Sequence, residues 1–164
     1  MSSQLRQITS EEFRRVCGHY ATGVGVVTAV VDGTPVGLSV NSFTSVSLEP
    51  LLVSFYAAHT STTWEQMKNS DSFAVNILSE SQHNLISTFS KKGIDRFANI
   101  NWKPAPVTGS PLLPDTSGWI DCRVTQVHDI GDHYLVVGEV LDLHSDTDEG
   151  PLLYYKGKVA TLAS

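Results

Sequence analysis

The pattern of apolar and polar positions predicts a mostly β chain with a few short helices. Residues 23–31, GVGVVTAVV, form an almost unbroken apolar, largely valine run, as a strand buried on both faces requires. Asp32-Gly33 follows, a pair suited to the two positive φ angles of a type I′ hairpin turn, and residues 36–41 return as a second strand. A break at Leu48-Glu49-Pro50 precedes a third strand over 51–56. Further strands are expected over 73–78, 120–128 and 134–143, the last two joined by a tight turn at Gly131-Asp132. Residues 152–162 close the chain as a hairpin-like pair around Gly157. Helical character is confined to residues 10–19, 61–67 and 81–89. In the first of these, Phe13, Val16, Cys17 and Tyr20 share a stripe, and Thr9 with Glu12 fits a capping box. Residues 99–114 carry Pro104, Pro106, Pro111 and Pro114 and are expected to be a surface loop. Strands that do not alternate with long helices exclude a doubly wound sheet. They favour a closed, antiparallel β-barrel in a single domain over residues 1–164.

One stretch departs from the ordinary core pattern. Residues 37–55, GLSVNSFTSVSLEPLLVSF, thread Ser39, Asn41, Ser42, Thr44, Ser45, Ser47 and Ser54 between apolar positions, with no charge before Glu49. Short neutral donors and acceptors at strand positions are either edge groups satisfied by water or the lining of a pocket for an uncharged polar ligand.

Composition narrows the function classes. The chain has 164 residues, 41% hydrophobic and 17% charged, which fits an ordinary folded protein. Its net charge is −6 and its eleven Lys and Arg residues are scattered, against a nucleic-acid surface. No apolar run approaches the roughly 20 residues of a membrane span, and the N-terminal MSSQLRQITSEEF lacks an apolar signal core. Cys17 and Cys122 have no CxxC spacing and are expected to be reduced thiols in a cytoplasmic protein.

Several motifs fail on inspection. Gly23-Val24-Gly25 begins like a dinucleotide fingerprint, but Thr28 stands at the third glycine position and the segment continues as strand. No Walker loop, GxSxG elbow, HExxH or HxH pattern occurs, so no metal is expected. The charges at Lys91, Lys92, Asp95 and Arg96 fit a solvated loop better than an anion site.

The segments TGVGVVT, GLSVNSFTSVSLEPLLVSF, STTW, FAVNIL, STF…KKGIDRF, IGDHYLVVGEV and PLLYYKG occur in this order from about Phe13 to Val159. Together they resemble the short-chain flavin reductases of two-component flavin-dependent monooxygenases. The specific combination is NSFTSVSLEP with a GDH turn some ninety residues later. One departure stands out: the family pattern has two prolines after the acidic residue, whereas here Pro50 is followed by Leu51.

The resemblance implies an FMN-binding split barrel, a homodimer, exchangeable FAD or FMN, and NADH, rather than NADPH, as hydride donor. It also implies a partner monooxygenase that receives the reduced flavin. It assigns Pro35, Val36, Gly37, Leu38, Ser39, Asn41 and Ser42 to the polar edge of the flavin ring. In the same scheme Tyr56, Ala57 and Ala58 flank the ribityl chain, and Ser61, Thr62 and Thr63 hold a phosphate. Thr88 and Phe89 also contact flavin, and Lys92 and Arg96 are candidates for a phosphate or an adenine-side group. It places His133 beside the nicotinamide and Tyr154, Tyr155, Lys156 and Gly157 along the rest of that nucleotide. Two other functions share the barrel: a tightly bound flavin carrier or sensor, and an oxidase of the pyridoxamine-phosphate type. The GDH turn and YYKG loop favour the reductase, since a carrier needs no nicotinamide site.

Overall fold

The computed structural model describes residues 5–145 and 148–163. In chain order its elements begin with α1 (Ser10–Cys17), β1 (Thr22–Gly23), β2 (Gly25–Val31) and β3 (Thr34–Val40). Then come β4 (Thr44–Leu48), β5 (Leu51–Ala58), α2 (Thr62–Met67) and β6 (Ser72–Ile77). A 3-10 turn (Glu80–Gln82) leads into α3 (His83–Ser90), followed by the two-residue strands β7 (Lys103–Pro104) and β8 (Pro111–Leu112). The long β9 (Gly118–Ile130) and β10 (His133–Ser145) precede a final hairpin, β11 (Leu153–Tyr155) and β12 (Lys158–Ala160).

Turn chemistry acts where the residues dictate it. Asp32 and Gly33 take φ of 49° and 77°, so β2 and β3 join through a two-residue turn. Lys156 and Gly157, at 50° and 76°, do the same for β11 and β12. The capping box forms: Glu12 N–H donates to Thr9 Oγ1 and Thr9 N–H to Glu12 Oε2. The Glu49-Pro50 peptide is cis, in the tight connection between β4 and β5.

Seven strands pair antiparallel in the order β3-β2-β6-β9-β10-β5-β4, and β1, β11 and β12 make a separate small sheet. The expected closed barrel is not what the ladders show. Pairing ends at β3 and β4, and no ladder joins these edges among the described residues. The sheet nonetheless curls. Leu38 and Val40 of β3 share one buried cluster with Val53, Phe55 and Ala57 of β5, although four strands separate β3 from β5 in the ladder. A flat sheet would hold those strands about 24 Å apart at a spacing near 4.8 Å per strand.

Two expectations need correction. Residues 44–48, read as part of a sheet-like stretch but given no strand of their own, pair with β5 as an edge strand. Val46 and Leu48 alternate with Ser45 and Ser47 as a strand requires, and both are exposed on that edge. Residues 99–114 are more than a surface loop, because Ala105, Ser110 and Leu113 are buried. Side chains of the sheet replace missing backbone partners there. Asn76 donates to Pro111 O and accepts from Leu113 N–H, and Asp121 accepts the N–H groups of Val107 and Thr108.

Candidate functional site

A cavity of about 320 Å³ opens between the end of β3, the end of β5, the start of α2, the end of α3 and the β9–β10 turn. The polar stretch of the sequence lines it. Ser39, Asn41 and Ser42 face it from one side, Tyr56 and Ala58 from another, and Ser61, Thr62 and Thr63 close one end. Leu38, Phe89 and His133 complete the set that sequence reasoning assigned. Most of those residues, scattered over nearly a hundred positions, therefore meet at one place.

Each polar group has its own state. Ser42 is spent on the scaffold: its hydroxyl takes the Tyr56 N–H at 2.9 Å and returns a bond to Tyr56 O at 3.3 Å, fixing the chain as it leaves β3. Ser39 shares a bond with Ser90 of α3, Oγ to Oγ at 2.8 Å. Ser61 caps α2 by accepting the Trp64 N–H at 3.1 Å. Asn41 differs, presenting its amide to the cavity with no protein partner among the described residues.

At the rim, His133 Nδ1 lies 2.6 Å from Asp132 Oδ1. That bond holds the Asp132 carboxyl below the usual carboxylate range, with the nearby charge of His133 adding to it. Beside them the His59 ring lies tilted against Tyr134, centroids 4.4 Å apart, and its Nε2 pairs with Asp129 Oδ1 at 3.1 Å. The sequence offered no sign of His59, because its partners, Asp129 at the end of β9 and Tyr134 at the start of β10, lie seventy or more residues along.

Arg96 brings a guanidinium to the cavity wall. Its Nη1 donates to Gly37 O and to Thr63 Oγ1, both at 2.6 Å, and its Nε and Nη2 donate to Lys91 O at 2.9 and 2.6 Å. All these acceptors are neutral, and no carboxylate pairs with Arg96 among the described residues. Burial pulls the pKa of this guanidinium down from its usual value. The loop expected to be mainly solvated therefore delivers a partly desolvated cation to the site.

Other assigned residues lie elsewhere. Pro35, Val36 and Gly37 line a second cleft, which meets the first at Thr62, Thr63, Lys92 and Arg96. The close approach that Gly37 permits is to aromatic rings: a Cβ there would lie 2.9 Å from Phe89 Cε1 and 3.3 Å from Phe97 Cζ. Ala57 is buried in the core, one residue out of phase with Tyr56 and Ala58. Thr88 spends its hydroxyl on Asn84 O at 3.2 Å and is not part of the cavity wall. Tyr154 borders a smaller hollow behind Ser39, Asn41 and Ser90. Tyr155 and Lys156 pack on the end of α1, through the His19 ring and a bond from Lys156 N–H to Gly18 O, and Lys156 and Gly157 edge a cleft there.

The model of the flavin reductase like domain matches residues 17–163. The chain belongs to this family. It is 41% identical over 151 residues to the reductase subunit HsaB of a flavin-dependent monooxygenase from Rhodococcus jostii, covering 92% of this chain and 77% of the relative. It is 37% identical to an NADH:FMN oxidoreductase from Rhodococcus erythropolis, covering 92% and 81% of the two chains. Among solved structures, nitrilotriacetate monooxygenase component B from Mycobacterium thermoresistibile superposes with a TM-score of 0.89 at 39% identity, covering 93% and 86%. The chain is thus a flavin reductase, an oxidoreductase that supplies reduced flavin to a monooxygenase. No helix among the described residues is long and apolar enough to cross a membrane.

Proposed function

We propose that the cavity between β3 and β5 seats the flavin ring and that His133 orients the nicotinamide of NADH against it. The observation that carries this reading is the lining itself: neutral hydroxyl and amide groups on rigid strands, a free Asn41 amide, and an unpaired cation at one end. An isoalloxazine needs flat apolar contact with a few short donors and acceptors, and its phosphate needs positive charge. Phe89, Leu38 and Ala58 supply the first, Ser39 and Asn41 the second, and Arg96 with Lys92 the third. Helix α2, at six residues, has too small a dipole to supply that charge alone. The curled sheet is a split barrel in this reading, with the flavin along the seam between β3 and β5.

When bound, the flavin supplies the electron acceptor for the hydride leaving the nicotinamide. The chain's contribution is orientation, since hydride transfer between stacked rings needs contact distance and alignment rather than an acid or base on the hydride. His133, held through Nδ1 by Asp132, has its other nitrogen free to bond the nicotinamide carboxamide. Flavin exchanges between turnovers, as an open cleft allows, and passes to the partner enzyme. Phe13 and Val16 on α1 and Tyr20 just beyond it, exposed in the protomer, and exposed Leu48 and Leu51 on the β4–β5 hairpin belong to a homodimer interface.

Aerobic consumption of NADH by the purified, pale protein should require added FMN or FAD and saturate with either. A yellow protein that leaves added flavin unreduced would refute the reading. Light scattering at a dimer's mass tests the second part.

A further inference from the structure

We propose that His59 is a positioning residue for the hydride step: it clasps the β9–β10 turn from the face opposite the cavity and so fixes the orientation of His133. The inference rests on the reading of His133 given above.

The register sets the two faces. His133 pairs with Ala58 of β5 and Ile130 of β9, and the next residue, Tyr134, pairs with Ala57 and Asp129. Side chains alternate along each strand. His133 and Ala58 therefore line the cavity, whereas Tyr134, Ala57 and Asp129 belong to the other face. His59, the residue after Ala58, follows the second set: its ring lies against Tyr134 and it is not part of the cavity wall.

The turn that carries His133 has little packing of its own. Gly131, with φ of 62°, and Asp132 make a two-residue connection, and a Cβ at Gly131 would meet nothing within 4 Å. The side chain of Asp132, the partner of His133 Nδ1, is 95% exposed. His59 supplies contacts from outside this hairpin. Its N–H donates to Asp132 O at 3.0 Å, a bond that any replacement except proline keeps. Its ring passes over the start of β10, from β5 toward β9, and brings Nε2 within 3.1 Å of Asp129 Oδ1. The surface it rests on is itself held, because Tyr134 lies against the buried Trp64 of α2, centroids 6.0 Å apart. The Asp132 carboxyl registers both histidines: its pKa falls first through the bond to His133 and, in smaller part, through the charge of His59. Catalysis by orientation depends on how narrowly the orienting groups are held. Without the clasp, the turn would carry His133 through a wider range of positions.

Stopped-flow reduction of added FMN by NADH tests the assignment, with flavin affinity measured beside it by fluorescence titration. His59→Ala should lower kcat/KM for NADH about three- to ten-fold, the scale of one exposed ion pair and one ring contact. Its flavin affinity should stay within about two-fold of the parent's, and Asp129→Ala should reproduce the pattern. His59→Arg, planar and able to pair with a carboxylate, should recover most of the loss. The deciding measurement is the double variant: in a His133→Ala background, His59→Ala should change the NADH step by less than about two-fold. An equal loss with and without His133 would overturn the proposal, as would a His59→Ala protein that matches the parent or one whose flavin affinity falls in parallel. If His133→Ala alone leaves the NADH step intact, the reading of His133 falls and the proposal with it.

Discussion

Replacing Arg96 by lysine keeps the charge but removes the fork, and so separates anchoring from electrostatics. The side chain bridges three segments by bonding Lys91 O, Gly37 O and Thr63 Oγ1. The Lys91 carbonyl lies at an exposed residue, where water can replace the donor. Gly37 and Thr63 are buried, so their acceptors lose a charged partner with little replacement. Each such loss costs about 1–3 kcal/mol, and partial water access favours the lower half of the summed range. Arg96→Lys should therefore destabilise the fold by about 2–4 kcal/mol, or roughly 5–15 °C in Tm for a chain of this size. Urea denaturation followed by tryptophan fluorescence measures it, with Arg96→Ala alongside. Anchoring predicts that lysine recovers little of the alanine variant's loss in stability. A lysine variant as stable as the parent would refute the argument, and would leave Arg96 as a simple surface charge.

His133→Ala should raise the KM for NADH or slow the reductive step in stopped flow while flavin affinity is kept; an unchanged reductive half-reaction would remove His133 from the site. Asn41→Ala should weaken flavin binding by about 1–2 kcal/mol, read by fluorescence titration, and equal affinity would count against its contact. Gly37→Ala should cost about 1–3 kcal/mol in denaturation experiments, since the new methyl meets Phe89 and Phe97. Burial, helped by the Asp121 carboxylate, pushes the Cys122 thiol up to about 12. Because the folded state prefers the neutral thiol, this contribution is complete below the unfolded value near 8.5 and is lost as pH rises toward 12. In a Cys17→Ser variant, Ellman's reagent at pH 8 should find no reactive thiol until denaturant is added.

What could be foreseen from the residues followed the range of the interactions involved. The type I′ turn at Asp32-Gly33 and the box at Thr9 and Glu12 depend on residues within a few positions, and both form as expected. Of the residues lining the cavity, Ser39, Asn41 and Ser42 stand out in the chain as short polar groups among apolar neighbours, whereas Tyr56, Ala58, Ser61, Thr62, Thr63, Phe89 and His133 were assigned only through the family resemblance. Partnerships across the fold were not visible. Asn76 reads as an ordinary polar position in a strand, yet it bonds Val26, Thr28, Pro111 and Leu113. Arg96 sits in a loop whose charges look solvated, and only folding brings Gly37 and Thr63 to its guanidinium. Gly37 invited a ligand-based explanation, whereas the aromatic rings that need its missing side chain lie more than fifty residues along.

The strand order also bears on how the chain acquires its activity. The walls of the main cavity come from β3 and β5, which stand at the two ends of the run from β3 to β5 and meet only because β2, β6, β9 and β10 lie between them. Closing so many distant pairings is the slow part of assembling such a topology. A partly folded chain can hold either wall but not both. The capacity to bind flavin should therefore emerge in the last kinetic phase of refolding, which would make the ligand a reporter of complete chains.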